Sequence, residues 1–253
     1  MKSFAKINIF LKVIGKLGNY HEIASRFILF EELFDTITFK EKQSKNFTIA
    51  TNKAIPGENL IKKAYDILAK EFSCVEPFFK SHTVELNKQI PIGGGLGGGS
   101  SNCATFLKLC NKTLGLKMSK KELIELSLPL GCDIAFFISE QRAANVYGKG
   151  EIIEPFVDDI PNLKLFCLPI CSNTAAVYGE FRNSFFKDID PNLAKKFSTL
   201  TTKELLKNYK NRQLNDLLAP FVKIYSINLH DNEFLSGSGS SYYKVIDEDN
   251  SKK

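Results

Sequence analysis

The sequence predicts an α+β protein in two domains, residues 1–157 and 158–253. Three observations predict it. Residues 5–13 alternate with period two, as strands do, whereas residues 60–72 and 103–114 repeat apolar side chains every three or four positions, as amphipathic helices do. A glycine-dense loop joins a strand-like segment, residues 84–88, to the second of those helices. The composition then shifts at Asp158-Asp159-Ile160-Pro161, which places the domain boundary.

In chain order, Ala5, Ile7, Ile9, Leu11 and Val13 form one side of the first strand, and Lys6, Asn8, Phe10 and Lys12 the other. The pattern predicts a half-buried strand with Lys6 and Asn8 on one face. Gly15-Lys16-Leu17-Gly18-Asn19 reads as a turn into a second strand through about Phe30, with short strands at 35–40 and 47–50. Pro56-Gly57-Glu58-Asn59 opens a helix carrying Leu60, Ile61, Ala64, Tyr65, Leu68 and Phe72. The helix after the glycine loop presents Cys103, Phe106, Leu107, Cys110 and Leu114 and stops at Gly115. Ser119 and Glu122 form a capping box for the next one. Gly131-Cys132-Asp133 is a turn before an apolar segment, and Gly148-Lys149-Gly150 joins a hairpin. The second half is expected to hold a strand at 163–170, helices at 175–182, 202–209 and 215–221, a strand at 224–229, then Ser236-Gly237-Ser238-Gly239-Ser240-Ser241, a last strand and a polar tail.

Composition narrows the function classes. A balance of 43% hydrophobic and 25% charged residues supports a buried core and argues against disorder. Apolar runs fall short of the about 20 residues a bilayer span needs, and the N-terminus enters strand-like sequence directly, so a cytoplasmic protein is expected. The net charge of +6 suits anionic ligands such as nucleotides but does not indicate nucleic acid. None of the six cysteines forms a C-x-x-C pair, so all read as buried filler rather than metal ligands.

The loop from Pro91 to Ser101 is the strongest local signal. Six of the seven residues from Gly93 to Gly99 are glycine, and Ser100 and Ser101 follow where a helix begins. Glycine lets backbone N–H groups converge on phosphate oxygens, and the helix N-terminus adds attraction for an anion. No Gly-Lys-Ser/Thr follows, which excludes a Walker A loop. A dinucleotide fingerprint would need an acidic residue about 20 residues on, where Leu116-Lys117-Met118-Ser119 stands instead.

Pro91-x-x-x-Gly95-Leu96-Gly97, followed by Gly98-Gly99-Ser100-Ser101, resembles the phosphate loop of the GHMP kinases, among them galactokinase, homoserine kinase and mevalonate kinase. Ala5-Lys6-Ile7-Asn8-Ile9-Phe10-Leu11 resembles that family's first motif and the 236–241 segment its third. The lengthened loop, Tyr20-His21, Glu58-Asn59-Leu60-Ile61 and Leu130-Gly131-Cys132-Asp133 are most similar to the branch that phosphorylates a cytidine-diphosphate sugar alcohol. The resemblance implies a ribosomal protein S5 domain 2-like N-terminal domain that binds ATP, and a ferredoxin-like C-terminal domain. It implies phosphoryl transfer from ATP, with Mg2+ neutralising the triphosphate. The partners implied are ATP and a small-molecule acceptor, with no nucleic acid and no membrane; oligomeric state stays open.

Residue by residue, the resemblance implies that Asp133 is the catalytic carboxylate and Lys6 the cation beside it. ATP would be held by Asn59, Pro91, Ile92, Gly93, Gly94, Gly95, Leu96, Gly97, Gly98, Gly99, Ser100 and Ser101. The acceptor would be held by Asn8, Tyr20, His21, Phe27, Thr174 and Tyr178, with aromatic rings stacking on the base. Outside this context, Asp133 reads as a helix N-cap after a glycine turn, and Tyr20 and Phe27 as ordinary turn and core aromatics. Another kinase of the family and a non-catalytic sensor on the same fold are the rival readings; Tyr20-His21 argues against the first and the presence of both Lys6 and Asp133 against the second. Two departures stand out. Asn215-Asp216-Leu217-Leu218-Ala219-Pro220 lacks the family's glutamate and carries an extra residue, and the chain ends soon after the third motif, so a trimmed C-terminal domain is expected.

Overall fold

The computed structural model describes residues 1–18 and 20–246. Asn19 of the expected first turn and the polar tail 247–253 lie outside the described residues. The elements run β1 (Lys2–Leu17), β2 (Tyr20–Glu41), β3 (Ile49–Thr51), α1 (Leu60–Glu71), α2 (Val75–Ser81), β4 (His82–Asn87), α3 (Gly98–Thr113), α4 (Lys120–Ser127), α5 (Ile134–Ser139), β5 (Ala143–Gly148) and β6 (Ile152–Pro155). They continue with β7 (Leu163–Cys167), α6 (Thr174–Ser184), α7 (Pro191–Thr199), α8 (Thr202–Asn208), α9 (Asn211–Leu214), α10 (Leu218–Tyr225), β8 (Phe234–Leu235) and β9 (Ser241–Val245). The α+β expectation holds.

Two compact units emerge, and neither is continuous in sequence. The first comprises Met1–Ala5, Phe30–Ile92 and Gly97–Glu140, the second Lys6–Leu29, Gly93–Leu96 and Gln141–Lys253. No crossing falls at 157/158, because β1 and β2 are long enough to contribute residues to both units. The two strands expected at 20–30 and 35–40 are one: the exposed Glu31-Glu32 pair interrupts the alternation but not the strand.

In the first unit, the C-terminal half of β2 pairs antiparallel with β4, Thr36 opposite Asn87, and β3 lies parallel to β4. Asn59 caps α1 by accepting from Ile61 N at 2.9 Å, and the Ser119–Glu122 capping box forms at α4 as expected. The core is aromatic: Phe79 packs edge-on against Phe39 and Phe47 at 5.1 Å, and Phe106 lies 5.7 Å away. Cys103 and Cys110 fill this unit's core, and burial pushes the Cys103 thiol up to about 12. Cys74, Cys167 and Cys171 are exposed and Cys132 is half-buried, so of the six thiols expected to be buried only Cys103 and Cys110 are.

In the second unit, the N-terminal half of β2 pairs antiparallel with β5, Ile23 opposite Gly148, and β6 follows as an antiparallel neighbour. A three-stranded antiparallel sheet runs β7-β9-β8. Leu11, Val13 and Ile23 meet Val177, Phe181, Leu217, Leu218, Phe221 and Leu235 in one apolar cluster. β1 is buried on both faces, not half-buried: Lys6, Asn8, Phe10 and Lys12 are each at most 5% exposed. The strand expected at 224–229 is absent. Ile224 and Tyr225 instead finish α10, with the Tyr225 ring 5.1 Å from Phe221, and the helix stops at Ser226 in the left-handed region.

The segment around Asp158, where the composition shift places a domain boundary, is an anchor of the second unit. Arg26 is fully buried, and its guanidinium stacks 3.4 Å over Phe156. It donates to Asn145 Oδ1 (2.9 Å), Leu200 O (2.8 Å) and Ser198 O (3.0 Å), and pairs with Asp158 at 3.5 Å. Asp158 also accepts from the backbone and hydroxyl of Thr202. Arg26→Met should strip these acceptors and leave Asp158 buried without its cation, a loss of about 3–5 kcal/mol. Denaturant unfolding measures it; a loss below about 1 kcal/mol would mean the pair is no anchor.

Candidate active site

The glycine loop has an ordered, alternating backbone. Positive φ recurs at every second residue, +68° at Gly93, +73° at Gly95 and +66° at Gly97. Alternation of hand turns successive N–H groups toward a common point, the arrangement that holds an anion. Within the second unit, the carbonyls of Gly93 to Leu96 are all turned into the protein. Gly93 O accepts from Ser172 N and Ser240 N, Gly94 O from Ser241 N, Gly95 O from Ser236 Oγ and Leu96 O from Lys6 N. A Cβ at Gly95 would lie 2.2 Å from Ser236 O, so this glycine serves close backbone packing against the third motif. Gly97 stands at the N-cap of α3, where Gly98, Gly99, Ser100 and Ser101 form the first turn. Ser101 is buried and its hydroxyl accepts from Ser3 at 2.8 Å; Ser100 is half-buried.

The first motif lies in the second unit beside the third. Lys6 Nζ donates to Asn8 Oδ1 and stands 4.4 Å over the face of Phe27. Asn8 in turn donates through Nδ2 to Ser25 Oγ at 3.0 Å and through its backbone to Ser236 Oγ at 3.2 Å. Tyr243 seals the strand from below, its buried hydroxyl donating to the carbonyls of Asn8 and Ile9. Phe27 is only 2% exposed, so its ring supports Lys6 and does not present a stacking surface.

Of the other expected acceptor residues, Tyr20 is 60% exposed, with Lys149 Nζ 4.9 Å from its ring centroid. His21 is buried beneath a stacked Tyr178 at 5.1 Å, edge-on to Phe181. Tyr178, expected as a second stacking residue for a base, lays one face of its ring against His21. Burial, followed by the charges of Arg182 and Lys16, holds the His21 imidazole below its ordinary pKa, and its Nε2 has no hydrogen-bond partner. Thr174 opens α6 and shares a 2.9 Å hydrogen bond with Ser238 Oγ, tying α6 to the third motif.

In the first unit, Asp133 occupies the N-cap position of α5 in helical backbone geometry, half-buried, and its side chain makes no capping bond. The cap explanation for this carboxylate is therefore unused. Asn59, expected to touch nucleotide, spends its side-chain oxygen on capping α1.

The altered Asn215-Asp216 segment keeps a structural task without the glutamate. Asn215 Nδ2 donates to Leu235 O and Gly237 O, both at 2.9 Å, so it grips the third motif. Asp216 accepts from Lys12 Nζ and from Val13 N, gripping β1. Burial lifts the Asp216 carboxyl above the ordinary carboxylate range, against the pull of Lys12. Motif spacing alone did not reveal Ser172, Ser236 and Ser240 as the residues that hold the loop; the serine-glycine run hinted at Ser236 and Ser240 and nothing at Ser172.

Among the described residues, no helix is long and apolar enough to cross a membrane, and no group of three or more His, Cys, Asp or Glu side chains could hold a metal ion.

Residues 59–141 match the model of the GHMP kinases N terminal domain. A 4-diphosphocytidyl-2-C-methyl-D-erythritol kinase from Campylobacter jejuni subsp. jejuni serotype O:6 is 48% identical, over 97% of this chain and 99% of its own. A kinase of the same description from Sulfurimonas denitrificans is 36% identical, over 98% and 97%. A crystal structure of a 4-(cytidine 5'-diphospho)-2C-methyl-D-erythritol kinase superposes with a TM-score of 0.74 at 24% identity, over 97% of this chain and 89% of that one.

Gly97→Val places a β-branched side chain where φ is +66°, a region such residues avoid. Titration calorimetry should show loss of ATP binding in a protein whose thermal unfolding remains cooperative. Wild-type affinity in a folded Gly97→Val variant would overturn the loop as a phosphate site.

Proposed function

We infer that this chain, which belongs to the GHMP kinases and within them to the 4-diphosphocytidyl-2-C-methyl-D-erythritol kinase family, transfers the γ-phosphoryl group of ATP to the 2-hydroxyl of 4-diphosphocytidyl-2-C-methyl-D-erythritol. Such a step lies on the non-mevalonate route to isoprenoid precursors. The observation that carries the reading is the alternating-handed glycine loop, its carbonyls buried and a helix beginning at its end, in a chain that matches these kinases over nearly its full length. The finer architecture, an N-terminal ATP-binding domain followed by a ferredoxin-like C-terminal domain, is part of the same proposal.

In this reading the loop N–H groups and the N-terminus of α3 hold the phosphates. Asp133 accepts the proton of the acceptor hydroxyl as its oxygen bonds to the γ-phosphorus and the bond to the bridging oxygen of ADP breaks. Lys6 supplies positive charge that keeps a carboxylate ionised and stabilises developing negative charge on oxygen. Its ammonium is oriented by Asn8 and the Phe27 face. Mg2+ would be carried on the triphosphate and supply charge neutralisation. Ser100 is the loop hydroxyl suited to share it, since Ser101 is engaged by Ser3.

The acceptor's cytosine is assigned to the exposed ring of Tyr20, with His21 reading the base edge. The fixed Tyr178 stack and the unpartnered Nε2 suit His21 to that role in its neutral form.

Two experiments test the reading. Asp133→Asn keeps the shape and removes the charge, so kcat should fall roughly 10²–10⁴-fold with both substrates still bound; wild-type turnover would end the catalytic assignment. Tyr20→Ala should weaken acceptor binding by about 1–3 kcal/mol and leave ATP affinity unchanged. In an ADP-release panel, only the cytidine-bearing acceptor should be turned over efficiently. Equal turnover of mevalonate or homoserine would refute the acceptor.

A further inference from the structure

We propose that Asp35 is a positioning residue that sets the spacing and direction of the two ends of the glycine loop. The proposal rests on the loop being the ATP phosphate site, and it assigns a role to a carboxylate that has no part in the chemistry above.

Asp35 is fully buried in the first unit. An ionised carboxylate has about four acceptor positions, and all four are used. Oδ1 accepts from Gln89 N at 2.6 Å and Ile90 N at 2.8 Å; Oδ2 accepts from Lys88 Nζ at 2.5 Å and Asn102 Nδ2 at 2.8 Å. Lys88, Gln89 and Ile90 are the residues that enter the loop just before Pro91. Asn102 lies in α3 just after Ser101, where the loop has ended. One side chain therefore grips both ends.

The grip is closed by the partners themselves. Lys88 Nζ also donates to Asn102 Oδ1 at 3.0 Å, so the ammonium, the carboxylate and the amide form a triangle. Asn102 Nδ2 reaches Ser3 Oγ at 2.9 Å, and Ser3 donates to Ser101, the last loop residue. Gly98 sits directly on this cluster, its would-be Cβ 2.9 Å from Ile90 Cγ2 and 3.2 Å from Lys88 Nζ. The start of α3 thus rests on the pair with no room for a side chain between them.

Here the backbone N–H groups of the entry and a side chain of the exit converge on one anion. A loop held this way has already lost the freedom that phosphate binding would otherwise cost it. Removing the charge at Asp35 should therefore cost nucleotide affinity selectively.

The test compares Asp35→Asn and Asn102→Ala with the wild-type chain. Asn102→Ala releases the exit while the Lys88–Asp35 ion pair stays, so it remains informative should Asp35→Asn fail to fold. Calorimetry should show the Kd for ATP raised roughly ten- to hundredfold. The acceptor Kd and kcat at saturating ATP should stay within about twofold. Unchanged ATP affinity in a folded variant, or an equal loss of affinity for ATP and acceptor, would overturn the proposal. Gly97→Val separates the two readings: if it abolishes ATP binding while Asn102→Ala and Asp35→Asn bind normally, the clamp fails and the phosphate loop stands. If Gly97→Val binds ATP normally, the loop reading itself fails.

Discussion

A lysine ammonium cannot be buried without partners, and strand β1 buries two, Lys6 and Lys12. Much of the second unit follows from that constraint. Lys6 is met by Asn8, which must itself be held by Ser25 and Ser236. Lys12 is met by Asp216 and the carbonyl of Gln213 at 3.2 Å, which brings the α9–α10 junction onto the strand. That junction also carries Asn215, and Asn215 holds the serine-glycine segment that supports the loop. The polar face of one strand thus recruits, link by link, the residues that shape the glycine-loop backbone.

The loop shows how glycine divides its work. At Gly95 the missing side chain allows backbone to pack on backbone, while at Gly97 the left-handed conformation opens a helix. The same composition therefore satisfies two separate demands, internal packing and an outward array of donors. A run of flexible residues becomes ordered because its carbonyls are consumed one after another by Ser172, Ser236, Ser240, Ser241 and Lys6.

Legibility in the sequence followed the range of the interactions. The helix opening at Asn59 and the Ser119–Glu122 box could be read directly because each is completed by residues a few positions apart. Helix α7 was readable in principle, since Asp190 caps it and Pro191 stands at its first position, but a short segment with few apolar residues was passed over. Arg26 and Asp35 were not legible. Their partners come from as far away as Leu200 and Asn102, and nothing local distinguishes them from ordinary strand charges. The half-buried reading of β1 failed for a related reason: alternation reports chemical type, and a polar face can be covered when every group on it finds a partner. For the site, motif similarity could not foresee that Phe27 lies under Lys6 or that Tyr178 stacks on His21.

The interleaving of the two units has a consequence for the order of synthesis. Every segment of the first unit precedes Gln141, so its strands and helices have their partners as soon as that stretch has left the ribosome. The second unit begins at Lys6 but waits far longer. Lys12 meets Asp216 and the carbonyls of Asn8 and Ile9 meet Tyr243 only when nearly the whole described chain has emerged. Until then strand β1, which pairs with β2, lacks the partner of Lys12, and an unpaired charge on a strand disfavours pairing with another chain.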